Sequence, residues 1–342
     1  MFKNKVSPDY IHDYLVKNAK PKLAFDESKD FNTWRKQLKE KFEELLGIDQ
    51  IRLNDCPINI QVESEEVKDG YRLIRFLLET EKDYIVPCNL LIPTTNKQKY
   101  PLAIVSQGHK KGGMYNSIGV VKTEEDKKYQ PNGAFALQAV REGFATLTVE
   151  LRGMGELEPD GEKRMWGGMC KYSAFVALAL GRTLLGERAW DISKAIDAMS
   201  NFPEVDTSTI VVAGESGGGT ASFYAGCFDE RISLVVPVVS FCAYNKSILE
   251  MNHCICNLIP NVTKWFEMGD LTGLIAPRKF LAINGKLDEA FLIEGVREAF
   301  DITKRIYRKI GKEQNIRLVE TPDGHRWIPE IVFSNIKEML KI

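Results

Sequence analysis

Thr209-Ile210-Val211-Val212-Ala213-Gly214-Glu215-Ser216-Gly217-Gly218-Gly219-Thr220-Ala221 is the stretch on which the fold turns. A short apolar run ends in Gly-x-Ser-x-Gly, and a helix of small residues is expected to follow. A strand that meets a helix at so sharp a corner needs small neighbours, because the two backbones must approach closely. Glycine at 214, 217, 218 and 219 meets that need. Such a corner lifts the Ser216 hydroxyl above the end of the strand and leaves the Gly217 amide facing the same space. A phosphate cradle would also be glycine-rich. A dinucleotide loop requires G-x-G-x-x-G, however, and a P-loop requires Gly-Lys-Ser/Thr; neither pattern is present.

The runs on either side have the same character. Leu102 to Ser106, Ala145 to Leu151, Leu234 to Val239 and Phe280 to Ile283 are short and apolar with little alternation. Strands buried on both faces of a parallel sheet read this way. Helical stretches are predicted over Ala134 to Glu142, Ala189 to Phe202, Ala221 to Phe228 and Glu289 to Ile310. A last strand, Ile316 to Glu320, and a last helix, Pro329 to Leu340, close the chain. Upstream, Ile58 to Val62, Tyr71 to Leu78 and Tyr84 to Ile92 are β-rich runs split by turn signals, which predicts an antiparallel meander. Before them, Phe31, Trp34, Leu38, Phe42 and Leu45-Leu46 form a one-sided apolar stripe at helical spacing, stopped by Gly47. The predicted architecture is α/β. A mostly parallel sheet of about eight strands is flanked by helices and entered by the meander, with a helical extension over 1–55 and a catalytic domain over 56–342. The connections 152–188 and 241–277 are longer than crossovers require. They are expected to be substrate-side insertions, the second a partial lid.

Composition narrows the function classes. The 342 residues are 44% hydrophobic and 27% charged, the balance of a globular protein. Forty-six basic residues nearly cancel 47 acidic ones, so no basic excess points to a nucleic-acid partner. The Lys-rich pieces are interrupted by acids and read as solvated faces. Met1 to Tyr14 lacks the apolar core of a secretory signal, and Tyr172 to Leu180 is too short to span a bilayer. Seven cysteines without framework spacing suit reduced thiols and a cytoplasmic location, although a secreted form with its signal already removed would read the same way.

Serine is a weak nucleophile at neutral pH and needs an adjacent base. Following this type of corner, the triad order is serine, acid, histidine. Of the four histidines, His253 and His325 lie beyond Ser216. His325 falls directly after the last predicted strand, in Thr321-Pro322-Asp323-Gly324-His325, where Gly324 is expected to let the chain turn inward. Asp288 follows the strand Phe280 to Ile283 through Asn284-Gly285-Lys286-Leu287 and is the expected acid. Glu289 is better read as a first-turn helix acid. An oxyanion hole needs two N–H donors. Gly217 should supply one, and His109 in Gln107-Gly108-His109-Lys110-Lys111-Gly112-Gly113 the other. Gly108 is expected to adopt an unusual backbone angle there, although a plain surface turn would also be rich in Gly and Lys. Gly108, Glu215 and Trp327 are candidate pocket residues. Trp166 and Trp265 suit core or rim positions better than sugar platforms.

Several further motifs accompany Gly214 to Gly219. They are Glu150-Leu151-Arg152-Gly153-Met154-Gly155, Val205-Asp206, Asp229-Glu230-Arg231-Ile232, His253-Cys254-Ile255-Cys256-Asn257 with Pro260, and Ala276-Pro277-Arg278. Over roughly residues 60–342 the chain resembles the acetyl xylan esterase-like branch of the α/β-hydrolases, related to dienelactone hydrolases but with serine as nucleophile. The resemblance implies a deacetylase or related esterase acting on a small-molecule or oligosaccharide ester, without a metal. Two departures stand out. Gln107-Gly108-His109-Lys110 replaces the common His-Gly-His-Gly, and Glu150 replaces an aspartate beside Arg152, a pair expected to brace the loop.

His253-Cys254-Ile255-Cys256 also looks like half of a zinc site. A structural site needs four ligands, usually from two spaced pairs, and no second pair exists in the sequence. No metal and no cofactor are therefore expected. The same triad would serve a peptidase or a glucuronoyl-type methyl esterase, and a non-catalytic binding homologue is a third alternative.

Overall fold

The computed structural model describes residues 7–95, 97–159, 161, 170–251 and 253–342. Trp166 and part of the 152–188 connection lie outside the described residues. Nine strands form one sheet: β1 (Asn59–Lys68), β2 (Tyr71–Glu81), β3 (Tyr84–Pro93), β4 (Tyr100–Ser106), β5 (Ala145–Val149), β6 (Val205–Glu215), β7 (Leu234–Val238), β8 (Lys279–Gly285) and β9 (Ile316–Thr321). Their spatial order is β1-β2-β3-β5-β4-β6-β7-β8-β9. The first three strands and the β3–β5 pair are antiparallel, and every pairing from β5 to β9 is parallel.

Burial follows this topology. The central strands β5 and β7 are buried at every position, as strands covered by helices on both faces must be. The edge strand β1 is exposed almost throughout. It extends to Lys68, past the predicted end at Val62, because backbone pairing with β2 tolerates the polar run Glu63-Ser64-Glu65-Glu66. Charged side chains on such an edge also discourage pairing with another chain.

The amphipathic helix Phe31–Leu46 buries Trp34, Leu38, Phe42 and Leu46 in the main core, with Asp30 capping its first turn. Gly47 ends it in the left-handed region (φ 74°). A Cβ there would lie 2.2 Å from the Gly181 carbonyl oxygen, so glycine is required both for the turn and for the contact.

Chain order and spatial order diverge at one place that matters for function. From β4 the chain steps outward to β5, then crosses back over β4 to β6. Successive connections therefore leave adjacent strands β4 and β6 in opposite directions, which opens a crevice at their carboxyl ends.

Candidate active site

Ser106 of β4 and Gly214 of β6 are register partners, so the loops leaving the two strands emerge side by side. The helix Ser216–Phe228 starts immediately after β6, and Ser216 takes φ 54°, a left-handed conformation uncommon for a residue with a side chain. Strain of this kind persists where surrounding structure over-determines it. Here the constraint is the crossing of the helix start over β4: a Cβ on Gly218 would lie 2.3 Å from the carbonyl oxygens of both Ser106 and Gln107.

Across the sheet, the turn after β8 carries Asp288. Its side chain is inaccessible to solvent. Oδ1 accepts the backbone N–H groups of Ala290 (2.8 Å) and Phe291 (3.0 Å), and Oδ2 lies 2.9 Å from His325 Nδ1. The imidazole is thus held in one orientation, and the Phe291 ring stacks on it at 5.9 Å with 12° between planes. The helix predicted from Glu289 begins only at Ile293, since Asp288 ties the intervening residues into a turn; Glu289 is exposed and outside the helix. The glycine that matters in this corner is Gly285, whose Cβ would meet the Asp323 and Gly324 carbonyl oxygens at 2.3 Å. Gly324 has no such restriction, contrary to the expectation placed on it.

Gly108 is also explained by proximity and not by an unusual angle: its φ is ordinary, and a Cβ would sit 3.1 Å from Ser216 Cβ. The backbone N–H groups of His109 and Gly217 have no acceptor among the described residues. Their loop is fixed from outside. Buried Asp126 accepts from Gly112 N–H (3.1 Å), Asn116 Nδ2 (2.9 Å) and Thr123 N–H (2.8 Å). Burial works against the Asp126 charge, but hydrogen bonds from Asn116 and Thr123 outweigh it and hold the carboxyl below its ordinary value. Glu150 accepts from Met114 N–H (3.2 Å) and Glu156 N–H (3.3 Å). Burial nevertheless pushes its carboxyl up to about 8. The expected Glu150–Arg152 pair does not form. Arg152 turns instead to Asp191 (2.7 and 2.8 Å) and Glu81 (2.6 Å), so the two side chains brace different regions.

Ser216 and His325 line one cavity of about 490 Å³, together with Gly108, Glu215, Tyr129 and Trp327. Trp327 is 2% exposed: its ring stacks on Phe135 at 4.2 Å, and Nε1 donates to Gln138 Oε1 (3.0 Å). Glu215 pairs with Lys110 at 2.7 Å, and the Lys110 ammonium lies 4.2 Å from the Tyr129 ring centroid. No cavity-lining residue comes from 152–188 or 241–277 among the described residues. Much of the cavity wall is built by the β4–β5 connection. Tyr129, Asn132 and Phe135 were missed as pocket residues because nothing local in their sequence marks them. Trp265 lies elsewhere, with the Lys22 and Lys41 ammonium groups over its ring.

The His109 side chain has a second environment. Its Cε1 and Nδ1 lie where a Gly217 Cβ would approach to 2.6–2.7 Å, and its Nε2 is 3.1 Å from Cys256 Sγ. Cys170 and Cys254 complete a cluster whose four donor atoms all fall within 4.8 Å of one another. The donor groups that the sequence does not supply as a second pair arrive singly, from two other loops. His253 is not among them; it packs edge-on against Phe291.

A mostly parallel sheet with a serine corner, and a histidine anchored to an acid at the carboxyl edge, defines an α/β-hydrolase. The profile of the Abhydrolase family matches residues 3–309, and the chain belongs to that family. The provisionally named hydrolase YtaP of Bacillus subtilis (strain 168) is 24% identical over 272 residues, covering 79% of this chain and 87% of its own. A structure described as a provisional acetyl xylan esterase from Bacteroides fragilis superimposes with a TM-score of 0.82 at 18% identity, covering 98% of this chain and 95% of its own. A glucuronoyl esterase from Solibacter usitatus gives 0.69 at 14% identity, covering 95% and 98%. These similarities show a shared fold. No helix among the described residues is long and apolar enough to cross a membrane.

Proposed function

We propose that the protein is a serine carboxylic-ester hydrolase that removes acetyl groups from carbohydrate esters through an acyl-enzyme. The observation that carries the proposal is the convergence of a strained Ser216 and an Asp288-anchored His325 on one cavity. Ser216 Oγ attacks the ester carbonyl while His325 Nε2 accepts its proton. Asp288 fixes Nδ1 as the protonated nitrogen and stabilises the imidazolium that forms. The carbonyl oxygen becomes an oxyanion, for which the unpaired amides of His109 and Gly217 are the donors; one such donor is typically worth about 3–4 kcal/mol. Collapse of the intermediate expels the alcohol, which takes the proton back from His325. Water, activated by the same imidazole, then attacks the acyl-serine and releases acetate and free enzyme.

The acetylated carbohydrate is supported by a cavity that sets aromatic Tyr129 and Trp327 beside polar Asn132 and Glu215, by a volume within the range of small-ligand sites, and by the acetyl xylan esterase among the structural relatives. Lys128 and Arg326 at the cavity favour a second reading, a glucuronoyl-type methyl esterase, because they could hold the carboxylate released by that reaction. A fluorophosphonate should modify Ser216, and Ser216→Ala should abolish p-nitrophenyl acetate turnover while leaving the fold unchanged. Labelling at another residue would overturn the nucleophile. Turnover of acetylated xylo-oligosaccharides against glucuronate methyl esters separates the two substrates.

A further inference from the structure

We propose that His109, Cys170, Cys254 and Cys256 form a closed structural zinc site that fastens the oxyanion loop. The four donor atoms lie within 4.8 Å of one another, and His109 Nε2 and Cys256 Sγ are 3.1 Å apart. A tetrahedral zinc with bonds of about 2.3 Å to sulfur requires donor separations of roughly 3.8 Å, so small side-chain adjustments would complete the shell. Three thiolates and one imidazole are a common donor set for structural zinc, and four protein ligands leave no open position for substrate. Carboxylate-preferring cations are disfavoured by the same soft donors.

A second, independent observation concerns charge. Arg188 is fully buried, and no carboxylate pairs with it among the described residues. Its Nη2 donates to Cys170 Sγ (3.2 Å) and to the Arg152 carbonyl oxygen, while Nη1 is buried without a partner. Zn²⁺ with three thiolates carries one net negative charge, which the Arg188 guanidinium would neutralise. Donation from such a neighbour to a ligating sulfur also orients the ligand, as groups around metal sites commonly do. Binding releases the thiol protons to solvent; no redox change is involved.

The ligands come from the loop after β4, the β5–β6 connection and the β7–β8 connection. Zinc would lock these three loops together directly beside Gly217, whose Cβ, if present, would meet the His109 ring at 2.6 Å. This consequence for activity rests on the proposed hydrolase function; the metal site itself does not.

The test begins with purified full-length protein under reducing conditions. Elemental analysis should find about one zinc per chain after incubation with Zn²⁺ and gel filtration, as expected for four protein ligands. Co²⁺ replacement should give thiolate-to-cobalt charge-transfer absorption and tetrahedral d–d bands. Cys254→Ser and His109→Ala should each lower the zinc content and change the cobalt spectrum, whereas Cys56→Ser, outside the cluster, should not. Stripping the metal should lower kcat by roughly tenfold or more with little change in KM, through loss of oxyanion-loop positioning. Zinc-free protein that binds neither ion, or a cobalt spectrum unaltered in both cluster variants, overturns the site. So does a disulfide among the three cysteines that persists in reductant. A protein that binds zinc but shows no Ser216 labelling would keep the metal site and sink the hydrolase reading instead.

Discussion

The two halves of the site are built in different ways. On the β8–β9 side, Asp288 is held by backbone groups two and three residues away and meets His325 from the next strand's loop. On the β4 side, the loop carrying His109 is held by side chains remote in sequence: Asp126, Glu150 and the cysteines of two other connections. The first half is a local device that a short stretch of chain encodes almost by itself. The second is a tertiary device, whose geometry depends on several segments arriving together. Damage to the first should therefore be confined to chemistry, whereas damage to the second should couple activity to stability.

The largest effect is expected on the local side. Asp288→Asn keeps the shape but no longer stabilises the imidazolium or enforces the right tautomer, and kcat should fall by about 10³–10⁴ with unfolding unchanged within error. Stopped-flow and thermal denaturation on the same preparation check this; less than a tenfold loss would deny Asp288 its role.

Gly217→Ala should be next. The added methyl would meet the His109 ring at 2.6 Å, so the loop must shift and an N–H donor with it. A loss of about 10²-fold in kcat is expected, roughly that of one misplaced oxyanion donor. An unaltered kcat would show that these amides do not face the developing charge.

Asp126→Ala tests the coupling of stability and activity directly. It strips acceptors from Gly112 and Thr123 N–H and from the Asn116 amide, and should cost about 2 kcal/mol by urea denaturation, together with part of kcat. Lost activity at full stability would mean that the β4 loop is not integrated as its contacts suggest.

The smallest effect on kcat is expected at Glu150, where the change falls on the pH dependence of stability. Burial raises this carboxyl from 4.5 to about 8, so the fold favours the neutral form. The resulting stability is fully present below the unfolded value and is lost as pH rises through the folded one. Glu150→Gln keeps a neutral side chain of the same shape. Its melting temperature should gain on the wild type between about pH 5 and 8 and hold a constant lead above that. Parallel melting curves across this window would show that Glu150 ionises in the fold without penalty.

How far the sequence could be read follows the same division. The placement of Ser216 at a strand end and the meeting of Asp288 with His325 were legible because a motif or an order rule marks each position. Cys170 and Asp126 carried no local mark, and the cavity wall of Tyr129 and Phe135 lies in a stretch without motif. Length marked 241–277 as a connection that does something, but not which residues it meets: His253 packs on Phe291 and Cys256 lies against His109.

By itself, then, the order of residues determined the alternation of strands and helices, the serine corner and the pairing of Asp288 with His325. Those depend on hydrophobic period and on backbone demands within a few residues. Only the folded chain decided that Glu150 and Arg152 part company, and that one imidazole and three thiols from separate loops share a pocket less than 5 Å across. Side-chain convergence of that kind is set by how the strands cross and the loops pack, which no spacing along the chain records.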